Sequence, residues 1–106
     1  MPKPLNQVKW GQLCASSVEN LPPGERSNKI KSMKSVLEER KDAGDHVPRA
    51  LWPRDPAYDG ITNLYRYKID REMRATYTIG SINGNWVVTI IEVFWDHKSY
   101  ERRFGY

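Results

Sequence analysis

Between Leu64 and Trp95 the sequence offers three stretches that suit a pleated strand, joined by linkers short enough for hairpins. Leu64–Ile69 and Met73–Ile79 alternate apolar with polar side chains, and Trp86–Trp95 is a long β-branched and aromatic run preceded by Asn83-Gly84. A period of two sends successive side chains to opposite faces, so a three-strand antiparallel meander with one apolar side is predicted. What lies upstream must cover that side.

Two upstream segments have the period to do so. Trp10, Leu13, Cys14 and Val18 recur at helical spacing, predicting a short amphipathic helix that closes before Leu21-Pro22-Pro23-Gly24. From Glu25 to about Ala43, Ile30, Met33, Val36 and Leu37 share one face and Lys29, Lys31, Lys34, Glu38, Glu39 and Lys41 lie elsewhere, giving a second helix that ends at Gly44. Val47 to Pro56 holds three prolines and reads as an ordered loop anchored by Leu51 and Trp52. Asp96 to Phe104 has room for one or two helical turns. The fold class predicted is α+β: two N-terminal helices packed on an antiparallel sheet of three to four strands, with a short C-terminal helical segment. All of it fits one domain over residues 1–106.

Composition narrows the function. Lys and Arg number 17 against 13 Asp and Glu, a net charge of +4 that favours an anionic partner. The single Cys14 excludes an internal disulfide, and with only His46 and His97, far apart, no zinc or haem spacing appears, so neither metal nor cofactor is expected. Cys14, beside Leu13, Ala15 and Val18, reads as a packing residue. Met1-Pro2-Lys3-Pro4 is followed by no apolar run, and no stretch reaches about 18 apolar residues, so no signal peptide, no membrane span and a cytoplasmic location are expected.

Strand register decides where the charges fall. A three-residue loop, Asp70-Arg71-Glu72, sets Ile69 opposite Met73, Lys68 opposite Arg74, Tyr67 opposite Ala75 and Arg66 opposite Thr76, keeping polar residues on one face. For the third strand, a turn centred on Asn83 sets Thr76 opposite Ile90 and Arg74 opposite Glu92, with Tyr77 facing Ile91 on the core side. The two-residue Asn83-Gly84 turn would instead bury Glu92 opposite Ala75 and is disfavoured for that reason. The result is a face bearing Arg66, Lys68, Arg74 and Glu92, extended by His97, Lys98, Tyr100, Arg102, Arg103 and Tyr106. Like charges opposite one another repel, so Lys68 and Arg74 call for either a bound phosphate or a compensating Glu92. Trp52, Trp86 and Trp95 are assigned to packing.

Asn63-Leu64-Tyr65-Arg66-Tyr67-Lys68, Met73-Arg74-Ala75-Thr76-Tyr77 and Ile91-Glu92-Val93-Phe94-Trp95-Asp96-His97-Lys98-Ser99-Tyr100 together resemble the RelE and ParE toxin superfamily over residues 10 to 106. The resemblance implies two N-terminal helices on an antiparallel sheet, and in the RelE-like branch ribosome-dependent cleavage of messenger RNA, with a cognate antitoxin as protein partner. The family's basic strand residues and its C-terminal basic or histidine and tyrosine positions match Arg66, Lys68, Arg74, His97 and Tyr100. Two departures stand out: no edge strand is evident before the first helix, and His97 replaces a common arginine.

Metal-free RNA cleavage uses the 2′-hydroxyl as nucleophile, so a site must remove its proton, offset charge on the phosphate and protonate the departing 5′-oxygen. Arg66, Lys68 and Arg74 suit the charge, His97 suits the general acid, and Glu92 is the candidate base. Lys98, Arg102 and Arg103 are candidate RNA contacts, and Tyr100 and Tyr106 candidate platforms for an unstacked base. A non-catalytic protein of the same fold, such as a DNA gyrase inhibitor or a binding module, is the main alternative. A DNA-binding protein ranks last, for want of a helix-turn-helix pair.

Overall fold

The computed structural model describes residues 5–105. It is an α+β fold whose five-stranded sheet has the order β1-β5-β4-β3-β2. In chain order the elements are β1 (Gln7–Trp10), α1 (Ala15–Glu19), α2 (Glu25–Glu39), β2 (Asp45–His46), β3 (Tyr65–Lys68), β4 (Arg74–Ile82), β5 (Asn85–Phe94) and α3 (His97–Phe104), with 3-10 turns at Arg49–Leu51 and Pro56–Tyr58.

The meander stands as predicted, while the sheet is wider and mixed. Residues Gln7 to Trp10 form an edge strand parallel to β5, pairing Gln7 with Val87 and Trp10 with Ile90. The helical spacing of Trp10, Leu13, Cys14 and Val18 is therefore shared among a strand, a turn and a five-residue helix, and Leu13 stays 46% exposed. The turn is fixed by a close approach. Gly11 N donates to Ile90 O at 2.7 Å, and a Cβ on Gly11 would stand 2.9 Å from that oxygen. Cys14 is buried as expected, and burial pushes its thiol up to about 11.

The second helix ends at Glu39, four residues short of Ala43, because Arg40 adopts an extended backbone. Gly44 is thus no helix cap. Its N–H donates to the Tyr77 hydroxyl at 2.9 Å, and its missing Cβ lets the chain pass the Arg66 carbonyl, which a side chain would approach to 2.6 Å. That passage delivers β2, which pairs Asp45 with Arg66 on the far edge of β3.

One face of the sheet holds Ala75, Tyr77, Val88, Ile90 and Val93 against Ile30, Met33 and Leu37 of α2 and against Cys14. The other face carries a second cluster, Val47, Tyr58, Leu64 and Ile91, closed by the proline-rich loop and Phe104. Trp52 anchors that loop through Nε1 to the Val47 carbonyl at 2.9 Å, whereas Leu51 is exposed. Trp86, assigned to packing by sequence, is 50% exposed with Lys41 over its ring.

The first hairpin has the predicted register, from Tyr65 opposite Tyr77 to Lys68 opposite Arg74. The second does not. Ile82 pairs with Asn85 across a two-residue turn in which Asn83 and Gly84 have φ of 52° and 80°, the left-handed pair such a hairpin requires. Glu92 nevertheless escapes the core, because the pairing jumps from Tyr77–Ile90 to Thr76–Glu92 and leaves Ile91 as an inserted residue. Only in one unbroken register would that turn bury the carboxylate.

A polar staple joins α2 to the first hairpin. Asp70 accepts from Lys29 Nζ at 2.6 Å and from the N–H groups of Glu72 and Met73 at 2.9 and 2.7 Å. The lysine and these amides lower its carboxyl to about 2. A carboxyl depressed in the folded state contributes stability above its unfolded value near 4, and the contribution disappears as pH falls towards 2. Urea midpoints of wild type should therefore drop between pH 4 and 2, and Asp70→Asn should flatten that part of the profile; equal slopes in the two proteins would refute the staple. Gly44→Ala should destabilise by about 1–3 kcal/mol through overpacking, read as a lowered urea midpoint.

Candidate functional site

The second sheet face is where the cations gather, and α3 completes it. Asp96 caps this helix by accepting Ser99 N at 2.7 Å, and Gly105 ends it with φ 78°. Tyr100 and Phe104 pack edge-on against Phe94, with ring centroids 5.5 and 6.4 Å away. His97 N donates to Glu72 Oε2 at 3.4 Å, tying the start of α3 to the β3–β4 turn.

Around this scaffold five of the predicted residues lie at one end of the face. Arg66 Nη1 donates to the Tyr100 hydroxyl at 2.9 Å and its other terminal nitrogen lies 3.8 Å from Asp45. The His97 ring is 5.9 Å from that of Tyr100, and its Nδ1 is 2.6 Å from Glu101 Oε1. Lys68 is exposed opposite Arg74. Arg74 Nη1 donates to the carbonyl oxygens of Asp70, Arg71 and Met73, so the turn's own carbonyl dipoles hold the guanidinium beside Lys68 and offset their repulsion.

Glu92 occupies a different place from the one predicted. The residue opposite Arg74 is Phe94, and Glu92 sits opposite Thr76. Its Oε2 accepts from Arg103 Nη2 and Nε at 2.7 and 3.1 Å, and its Oε1 accepts from the Tyr58 hydroxyl at 2.7 Å. Arg103 also reaches Asp55 Oδ2 at 2.8 Å, and the Tyr58 hydroxyl lies 2.9 Å from Thr76 Oγ1. Burial first, and then the adjacent carboxylate, hold the Tyr58 phenol protonated far above its usual range, while the hydrogen bond to Glu92 raises the Arg103 guanidinium. A carboxylate with three donors on it anchors α3 to the sheet and is badly placed to serve as a base.

Two further expectations change. Tyr100 is 3% exposed, enclosed by Phe94 and Phe104, so it offers no platform for a base, and the half-buried Arg103 guanidinium is engaged by Glu92 and Asp55. Lys98 and Arg102 are exposed on α3, beside a groove of about 380 Å³ lined by Phe94, Trp95, Asp96, Ser99, Arg102 and Arg103. Tyr106 lies outside the described residues. Asp55 and Tyr58 were not singled out by sequence. The only hint was Asp55-Pro56, an N-cap followed by proline, in which Asp55 accepts Ala57 N at 3.0 Å.

Among the described residues no group of three or more His, Cys, Asp or Glu is placed to hold a metal ion, and no helix is long and apolar enough to cross a membrane. No protein-family model, no curated protein and no solved structure matches this chain. Arg103→Ala should cost about 1–3 kcal/mol, because it strips two donors from a mostly buried carboxylate, and should lower the melting temperature, whereas Arg102→Ala, on the exposed side of the same helix, should change stability by no more than about 0.5 kcal/mol. Equal melting temperatures for the two variants would refute the anchoring role of the Arg103–Glu92 pair.

Proposed function

We propose that the protein is an RNA-cleaving toxin of the RelE-like kind, acting on messenger RNA in the cytoplasm and neutralised by an antitoxin protein whose acidic or amphipathic segment covers the cationic face. The observation that carries this reading is the convergence of Arg66, Lys68, Arg74 and His97 at one end of one sheet face, linked through Tyr100 and the β3–β4 turn.

Among the described residues no carboxylate pairs with Lys68, so a phosphate beside Lys68 and the carbonyl-held Arg74 would meet positive charge already in place. Attack by the 2′-oxygen forms a bond to phosphorus and breaks the bond from phosphorus to the 5′-oxygen, leaving a 2′,3′-cyclic phosphate and a 5′-hydroxyl. His97 gives a proton to the departing oxygen. With Glu92 sequestered, the proton of the 2′-hydroxyl passes to water. Arg66, fixed on Tyr100, carries charge beside the phosphate.

The same sequestration of Glu92 and Tyr100 favours a second reading, a non-catalytic module that binds RNA or protein on this face, since only His97 is left to move protons. Controlled expression separates the two. In the nuclease reading, wild type arrests growth and shortens transcripts, and His97→Ala loses cleavage by about 100-fold or more. Lys68→Ala weakens RNA binding across sequences and lowers the salt slope by about one. Intact transcripts in cells expressing wild type, including those under translation, would sink the nuclease; salt-sensitive RNA binding without cutting would then establish the binding module.

A further inference from the structure

Resting on the nuclease reading, we propose that Glu101 is a positioning residue for His97, fixing the imidazole tautomer so that Nε2 is the atom that faces the RNA and delivers the proton. The spacing of four places Glu101 one turn after His97 on the same side of α3. The Nδ1 to Oε1 separation is 2.6 Å, an ion-pair contact across one turn of the helix that brings the carboxylate to the Nδ1 side of the ring. A carboxylate only accepts, so a contact on this side of the ring favours the hydrogen on Nδ1 in the neutral imidazole.

The surroundings restrict the ring without competing for it. Asp96 spends its carboxylate on Ser99 N, Glu72 faces the His97 backbone N–H, and Tyr100 supports the ring at 5.9 Å while its hydroxyl takes the Arg66 guanidinium. The His97 side chain is 41% exposed, so the ring reaches solvent while Nδ1 is held. A carboxylate on the Nδ1 side orients the ring and leaves Nε2 to face the RNA. Nε2 is then protonated in the cation, which transfers that proton to the 5′-oxygen and returns to the neutral Nδ1–H form, while the 2′-hydroxyl proton goes to water; no other protein group changes charge.

An ordinary helix pair would stabilise α3 and nothing more, so the tests read the tautomer directly. Imidazole 15N–1H correlation spectra of the RNA-free protein, taken where His97 is neutral, should place the hydrogen on Nδ1 in wild type. Glu101→Ala should move it towards Nε2, and Glu101→Gln, whose amide oxygen still accepts, should retain it on Nδ1. In cleavage assays Glu101→Ala should lower kcat by about 10- to 100-fold, part of what a positioned acid contributes, with KM unchanged and Glu101→Gln largely rescuing. A wild-type hydrogen on Nε2, or a tautomer indifferent to Glu101→Ala, overturns the proposal. If the tautomer responds and wild type cuts RNA but kcat does not fall, the positioning role is likewise overturned. Absence of cleavage by wild type overturns the nuclease reading, and the spectra still decide whether Glu101 orients the ring.

Discussion

One inserted residue in β5 decides what the second sheet face can be. Ile91 has no separate partner on β4, and with Glu92 it occupies the width that Thr76 takes alone. Before the insertion the strand obeys the geometry of a tight two-residue turn; after it, every side chain has changed sides. Ile91 joins the apolar cluster under the proline-rich loop, Glu92 meets Arg103 and Tyr58, Val93 returns to the α2 side and Phe94 becomes the floor for Tyr100 and Phe104. Without the bulge a carboxylate would enter the main core, and α3 would lose both its ionic and its aromatic attachments.

The parts of this architecture that were legible in the sequence are those set by short-range periodicity. The alternation of Arg66 and Lys68 with Tyr65 and Tyr67, and the three-residue loop after Ile69, sufficed for the first hairpin. Ile30, Met33 and Leu37 likewise marked the buried side of α2. The second hairpin was misread because a bulge has no periodic signature: two incompatible uniform registers were compared, and the answer combined pieces of both. β1 escaped for a different reason. Gln7-Val8-Lys9-Trp10 does alternate, but Trp10 also fits a helical spacing with Leu13 and Cys14, and only the backbone contact of Gly11 with Ile90, remote in sequence, decides between them.

At the site, the sequence identified the participants more successfully than their relationships. Arg66, Lys68, Arg74 and His97 share an end of the sheet, yet the partner of Arg74 is a set of backbone carbonyls and the partner of Glu92 is Arg103. Such pairings depend on a loop crossing the sheet at Asp55 and Tyr58, and nothing local to residues 92 or 103 announces it. The face is consequently divided. Its centre is an internally satisfied polar network, and its rim, Lys68, Lys98, Arg102 and the His97–Glu101 pair, meets solvent.

The parallel strand at the edge has a kinetic consequence. Gln7 pairs with Val87, a partner remote in sequence, so this pairing closes a far longer loop than either hairpin does. Both hairpins, by contrast, join neighbours in sequence. The cationic end of the sheet shares the dependence of β1 on remote partners, since Arg66 meets Tyr100 and Glu72 meets His97 only once separate parts of the chain have come together.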